Sequence, residues 1–460
     1  MIPYVPIKWW PAVALSVALG LPPAPAAAQD MPRVRRTIQA LTAPAMHGRG
    51  YVNKGEQKAA AYLRKWFQEL GLQPLAPDFT QPFTLNVNTF PGALNLELSL
   101  GMLRFPVLGH SRKLRVGEEF IAAPDSGPGT VGGAFSAVPL VRFDTLAFTD
   151  PAAQQQLVQR RWHQGGLVVR AADEQRLATL PQPVQQHIDS AALRITLVPK
   201  LTASLAPRQA GQMRLQVLES VWNKIPSTGS GPTVALVAAR VDAVLQRQYQ
   251  TQNIVGFVPG RVQPDSFLVV TAHYDHLGTM GRKAYFPGAN DNASGTAMLL
   301  ELAAHYSRPE NRPAYSVVFL AFGAEEAGLV GSRYFVDHPL VPLSRIRFLL
   351  NLDLLGTGSE GATVVNGREF PAQFQLLQRL NDRSHSLPSL AARGRAANSD
   401  HFPFSERGVP AFFLYTRGGI TAYHDVQDRA ETLPLTAFAG TFGLLRDFLN
   451  TLGASSSPAR

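Results

Sequence analysis

The run Phe267-Leu268-Val269-Val270-Thr271-Ala272-His273-Tyr274-Asp275 sets a strand's length of apolar residues directly against two ionisable ones. Residues 267–272 carry no charge, as expected of a strand buried on both faces of a sheet. The same pattern recurs at 315–322, at 348–353, where the run ends on Asp353, and at 411–415. Between these runs lie stretches with helical character, at 296–306, 327–338, 374–384 and 435–452. Apolar strands alternating with helices predict an α/β fold. Its core is a mostly parallel (mixed) sheet with helices on both faces.

Outward from this core the chain changes character twice. Amphipathic helices are expected over 34–41 and over 57–70, the second ending at Gly71. Alternating leucines at 94–100 read as a half-buried strand. From 108 to 228 the sequence is rich in Gly, Pro, Gln and short valine-containing runs, such as 133–143 and 166–169. That stretch reads as an inserted β-rich domain, with the Gly-Ser-rich 227–232 as the return linker. The α/β domain is then discontinuous, 29–107 and 229–460. Two domains also suit a chain of 460 residues.

The first 28 residues read as a secretory signal peptide. Lys8 precedes an apolar run over 9–21 that is too short to span a bilayer, and Ala26-Ala27-Ala28 offers a cleavage site. Export to the periplasm or the extracellular space is the expectation, with no stable membrane span after cleavage. The chain has no cysteine, so any metal site must be built from imidazole and carboxylate. Its formal charge of +10 comes from scattered Arg and Lys without a basic run. A solvated cationic surface follows from that, and no nucleic-acid partner.

The ionisable residues sit where such folds place their sites, at the carboxyl ends of the strands. His273 and Asp275 follow the first strand, and Asp291 lies in the loop to the next helix. Glu325 and Glu326 follow the strand ending at Phe322, Asp353 ends its own strand, and His424 lies beyond Tyr415. Two imidazoles and three carboxylates can hold two divalent ions if one carboxylate bridges. A further carboxylate must take a proton from the attacking water and pass it to the leaving amine. The adjacent Glu325 and Glu326 allow that division, one ligating and the other acting as base. Taken singly each residue has a plainer reading: a charge near a helix dipole, a turn, a cap.

Several strings together resemble metallopeptidase family 28, the co-catalytic zinc aminopeptidases that also include glutamate carboxypeptidases. They are Thr271-Ala272-His273-Tyr274-Asp275, Gly288-Ala289-Asn290-Asp291-Asn292-Ala293-Ser294-Gly295, Gly323-Ala324-Glu325-Glu326-Ala327-Gly328-Leu329-Val330-Gly331-Ser332, Asn351-Leu352-Asp353 and Tyr423-His424. By position and composition the insert is similar to the protease-associated domain common in that family. The resemblance implies two Zn2+ per chain, with Mn2+ or Co2+ as possible substitutes. His273 and Asp353 would hold one ion, Glu326 and His424 the other, and Asp291 would bridge. Glu325 would be the general base, Asp275 would accept the free N–H of His273, and Tyr423 would donate to the oxyanion. Ser399-Asp400-His401-Phe402-Pro403-Phe404 resembles a family segment that shapes the pocket. Peptides would be the substrates, cut at the amino-terminal residue. The alternatives are a carboxypeptidase on the same centre, which would need a cationic pocket such as Arg393, Arg395 or Arg417, and a binding protein of this fold without catalysis.

Overall fold

The computed structural model describes residues 29–101, 111–132, 138–224 and 234–454. The leader-like residues 1–28 and the linker 227–232 lie outside them. The larger sheet is made of eight strands and a short edge piece. They are β1 (Thr80–Thr89), β2 (Val244–Val258), β3 (Gln263–His273), β4 (Tyr315–Phe322), β5 (Ile346–Leu352), β6 (Gly361–Val365), β7 (Leu390–Ala392) and β8 (Ala411–Arg417), with Gln73–Pro74 at one edge. Across the sheet the order is Gln73–Pro74, β2, β4, β3, β5, β8, β6, β7, and β1 also pairs with β2. The four central strands β4, β3, β5 and β8 are parallel, while β2 joins β4 and β6 joins β8 antiparallel. The sheet is therefore mixed α/β.

Both faces of the central strands are covered, and the alternation along each strand shows it. In β3, Leu268, Val270 and Ala272 belong to one core, and Val269 to the other. In β4, Val317, Phe319 and Ala321 face the first core, and Val318, Leu320 and Phe322 the second. The first core is roofed by α1 (Met31–Thr42), α2 (Gly55–Glu69), α3 (Gly295–Tyr306), α5 (Pro371–Ser384) and α7 (Phe438–Ala454). The second is closed by α4 (Val330–Asp337) and α6 (His401–Glu406). Burying a large apolar side chain contributes about 1.5–3 kcal/mol, and burying an unpaired charge costs more than that. Charged residues are therefore excluded from the doubly covered middle of these strands, and His273 and Asp353 stand at the carboxyl ends.

Three local readings change. Asp353 is the first residue after β5, not its last. The helix expected over 327–338 starts only at Val330. Glu325–Gly328 form a turn instead, in which Gly328 and Leu329 donate to the Glu325 carbonyl, and both adopt positive φ. The Glu-Glu pair thus sits on a turn rather than on a helix start.

The sheets also divide the chain elsewhere than at 107/108 and 228/229. Leu94–Gly101 and Val234–Val241 pair with each other antiparallel, inside the second nine-stranded sheet. That sheet also holds Ser111–Lys113, Phe120–Ala122, Gly129–Val131, Val138–Arg142, Gly166–Arg170, Leu193–Val198 and Met213–Leu218. A pairing between segments so distant in sequence leaves no local signal. Among the described residues no helix is long and apolar enough to cross a membrane.

Candidate metal centre

The carboxyl ends of β3, β4, β5 and β8 bring His273, Asp291, Glu325, Glu326, Asp353 and His424 into one buried crevice. Asp291 stands between the two histidines. Its Oδ1 lies 3.4 Å from His273 Nε2 and its Oδ2 lies 3.2 Å from His424 Nε2. Asp353 Oδ1 is 3.4 Å from His273 Nε2, and Glu326 Oε2 is 3.1 Å from His424 Nε2. His273, Asp291 and Glu326 offer atoms within 4.8 Å of one another, and so do His273, Glu325 and Asp353. Glu325 therefore reaches the same crevice as the expected ligands.

The hydrogen bonds around the two imidazoles decide what their facing nitrogens can do. His273 Nδ1 lies 3.2 Å from the main-chain oxygen of Asp275, and His424 Nδ1 lies 2.7 Å from the carbonyl of Ala203. A carbonyl oxygen only accepts, so each Nδ1 carries a proton and each ring turns its Nε2 towards carboxylate oxygens. Asp353 Oδ1 is also buried without a hydrogen-bond donor. Nε2 and carboxylate oxygens 3.1–3.4 Å apart need a cation between them, and a metal ion there would take the place of a second ring proton. Two ligand atoms about 2.1 Å from a tetrahedral ion stand about 3.4 Å apart, so the donor set fits zinc.

Around these residues the pocket is rich in carboxylate. Burial pushes the Glu325 carboxyl well above its ordinary range; His273 opposes this, while Asp400, Glu326 and Asp353 add to it. Burial also raises Asp400 to about 7 and Asp275 to about 6. For Asp291 burial acts in the same direction, but hydrogen bonds from His273 and His424 reverse it and hold the group well below the usual value. Glu326 falls to about 2: burial and Asp291 raise it, and His424 and His276 outweigh them.

Other side chains hold this arrangement in place. Arg49 is fully buried, and its guanidinium donates to the carbonyls of Tyr274, Leu41, Pro287, Gly288 and Asp291. Asp428 accepts from the main-chain N–H groups of Asn290 and Asp291. Gly288 adopts a φ of +62°, and a Cβ there would collide with the Asp291 carbonyl and the His276 ring. A chain of bonds runs from Thr271 Oγ1 to Asn351, from Asn351 to Ser399 Oγ, and from Ser399 Oγ to Asp353 Oδ2 at 3.0 Å. His276 Nδ1 donates to Glu326 Oε1 at 2.6 Å.

Two expected contacts take a different form. Asp275 meets the His273 ring through its main-chain oxygen, because its carboxylate stands 3.8 Å away. That carboxylate instead accepts from Tyr51 Oη and from the N–H of Glu325, which ties the Glu325 backbone to it. Tyr423 is 46% exposed, and its ring stacks on His424 at 4.0 Å. His401 is buried beside Phe413, and burial lowers it to about 4. Arg49, Asp428 and Ala203 belong to no motif that would single them out in the sequence. Ser399 lay in a quoted string, but its role did not show.

Residues 253–449 match peptidase family M28. That segment belongs to the M28 family. Among curated proteins the chain is 36% identical over 192 residues to aminopeptidase YwaD of Bacillus subtilis, covering 39% of this chain and 40% of that protein. It is 32% identical over 170 residues to leupeptin-inactivating enzyme 1 of Streptomyces exfoliatus, covering 37% and 36%. The chain thus spans well under half the length of these curated relatives. Solved structures extend the likeness in fold beyond the M28 segment. A peptidase M28 precursor from Shewanella amazonensis SB2B superposes with a TM-score of 0.65 at 14% identity, covering 93% of this chain and 94% of that one. BSAP, a zinc aminopeptidase from Bacillus subtilis, gives 0.63 at 21% identity, with 93% and 96% covered.

Proposed function

We propose that this protein is a two-zinc aminopeptidase that removes amino-terminal residues from peptides. The observation that carries the proposal is Asp291, whose two carboxylate oxygens face the Nε2 atoms of two different histidines. His273 and Asp353 would hold one ion and Glu326 and His424 the other, with Asp291 between them. Bound there, two divalent ions supply Lewis-acid polarisation of the scissile carbonyl and make water a nucleophile near neutral pH.

The chain's own residues do the rest. Glu325 takes a proton from the attacking water on its carboxylate and returns it to the leaving amine nitrogen. The N–H of Glu325 on the Asp275 carboxylate fixes the turn that aims it. Tyr423, exposed at the rim against His424, is the candidate donor to the developing oxyanion.

The choice of terminus is supported by the names of the relatives, which include aminopeptidases. Nothing comparable favours a carboxypeptidase. Arg417 is engaged by the Glu360 carbonyl and Ser389, Arg395 lies 3.9 Å from Glu406, and Arg393 follows the far edge strand β7. Export by a signal peptide, and a protease-associated character for the second sheet, belong to the same proposal.

The test is digestion of a peptide mixture by purified protein with added zinc, read by mass spectrometry. Each peptide is supplied with a free and with an acetylated amino terminus. Stepwise loss from free amino termini alone, abolished by a chelator, is expected. Trimming of acetylated peptides from the carboxyl end would move the assignment to carboxypeptidase. Absence of cleavage together with absence of bound zinc would overturn the enzyme reading.

A further inference from the structure

His424 stands in the loop after β8, outside any strand or helix, at a φ of +53° that a side chain rarely adopts unless held there. What holds it comes from the other sheet. The segment 199–212 connects Leu193–Val198 to Met213–Leu218, neighbouring parallel strands of the second sheet, and crosses to the rim of the crevice. There a single residue, Ala203, grips His424 twice. Its N–H donates to the His424 carbonyl at 3.1 Å, and its carbonyl accepts from His424 Nδ1 at 2.7 Å. Three residues earlier, Lys200 Nζ donates to the Thr421 carbonyl at 3.0 Å.

The segment is itself braced. Leu201 and Ala203 are buried in the core of the second sheet, and Leu205 packs against that core and against the cluster of Tyr51, Phe83 and Leu85. Asn88 on β1 donates its N–H to the Ala206 carbonyl, and Ala210 donates to the Asp125 carbonyl. The two bonds from Ala203 therefore do different work. The main-chain bond fixes where the His424 loop lies, and the ring bond fixes the tautomer that turns Nε2 towards Asp291 and Glu326.

We infer that the 199–212 segment is a positioning clamp for the His424 half of the metal centre, so that the second sheet governs the affinity of one metal and not the other. The inference rests on the two-metal reading of the site. Partners that orient a metal-binding imidazole are worth roughly 10- to 100-fold in metal affinity.

The experiment uses the full chain, stripped of metal and titrated with zinc against a chromophoric chelator. It compares the unaltered protein with Ala203→Pro, which deletes the N–H on His424, and with Lys200→Ala, which loosens the segment while sparing Ala203. Ala203→Pro is expected to weaken one binding step roughly 10- to 100-fold and leave the other unchanged. Lys200→Ala should weaken the same step by less, and it carries the test if the proline variant does not fold. A second readout is nitrogen NMR of histidine-labelled, metal-free protein. The Nδ1–H of His424 on the Ala203 carbonyl should be protected from solvent exchange in the unaltered chain, and it should exchange in Ala203→Pro, where the freed loop lets the ring leave that carbonyl. Unchanged zinc steps and unchanged Nδ1–H protection would overturn the clamp. If the unaltered protein takes up no zinc, the two-metal reading fails, and the exchange measurement alone decides the clamp.

Discussion

His273 and Asp353 stand at the ends of β3 and β5, neighbouring strands buried on both faces, whereas Glu326 and His424 stand on a turn and in a loop. On the first side the backbone is held by the sheet ladder, and the carboxylate is aimed by Ser399 and Asn351 from within the core. On the second side, His276 holds Glu326 and Ala203 holds His424, through contacts between segments far apart in sequence. Asp291 belongs to both sides, and its turn is fixed independently by Arg49 and Asp428. The difference teaches that one half of a paired site can be rigid because of its fold, while the other is rigid only through docking.

The largest effect expected is from Glu325→Gln. Turnover should fall by about 10²- to 10⁴-fold in a peptide assay, while zinc stoichiometry and thermal unfolding stay as they are. Because Glu325 also lies within ligand distance of His273 and Asp353, loss of one zinc in this variant would make it a ligand instead. Asp291→Asn should break both halves together. Each of the two zinc affinities should drop by more than about 100-fold in a chelator-competition titration, beyond what outer partners give. Loss of a single ion would deny the bridge.

The next effect concerns stability behind the His273 half. Glu56 is buried beneath Tyr274 and accepts from Thr251, and burial raises its carboxyl to about 7. The folded state therefore holds a proton that the unfolded chain has released between about pH 4.5 and 7. Stability from this group consequently falls as pH rises through that window. Glu56→Gln should remove that slope. Urea denaturation at pH 4.5 and pH 8 should show the variant losing roughly 3 kcal/mol less than the parent across the interval.

The smallest effect expected is from Ser399→Ala, which takes one hydrogen bond from Asp353. One zinc step, the one that Ala203→Pro leaves alone, should weaken about tenfold. If the same step weakened in both variants, the two halves would not be separable.

Much of this arrangement is legible before folding. Uncharged runs of strand length, each breaking into an ionisable residue, name the central strands and their carboxyl ends, because a two-sided core excludes charge until the strand stops. That reasoning reaches His273, Asp353, Glu325, Glu326 and His424. It does not reach the acceptor for His273, since a main-chain oxygen has no residue type to read. Nor does it reach Arg49, whose five carbonyl partners come from three separated stretches.

The sequence by itself determined the chemistry of the donors, imidazole and carboxylate without thiolate, and the parallel strands that deliver them to one edge. Periodicity and residue type are local, and local pattern is enough to place a strand end. The tertiary structure alone decided which nitrogen of each histidine faces inward, that Leu94–Gly101 and Val234–Val241 join the second sheet, and that Ala203 holds His424. Those are matters of main-chain hydrogen bonding between distant segments, and every residue carries the same main-chain donor and acceptor until the fold pairs them.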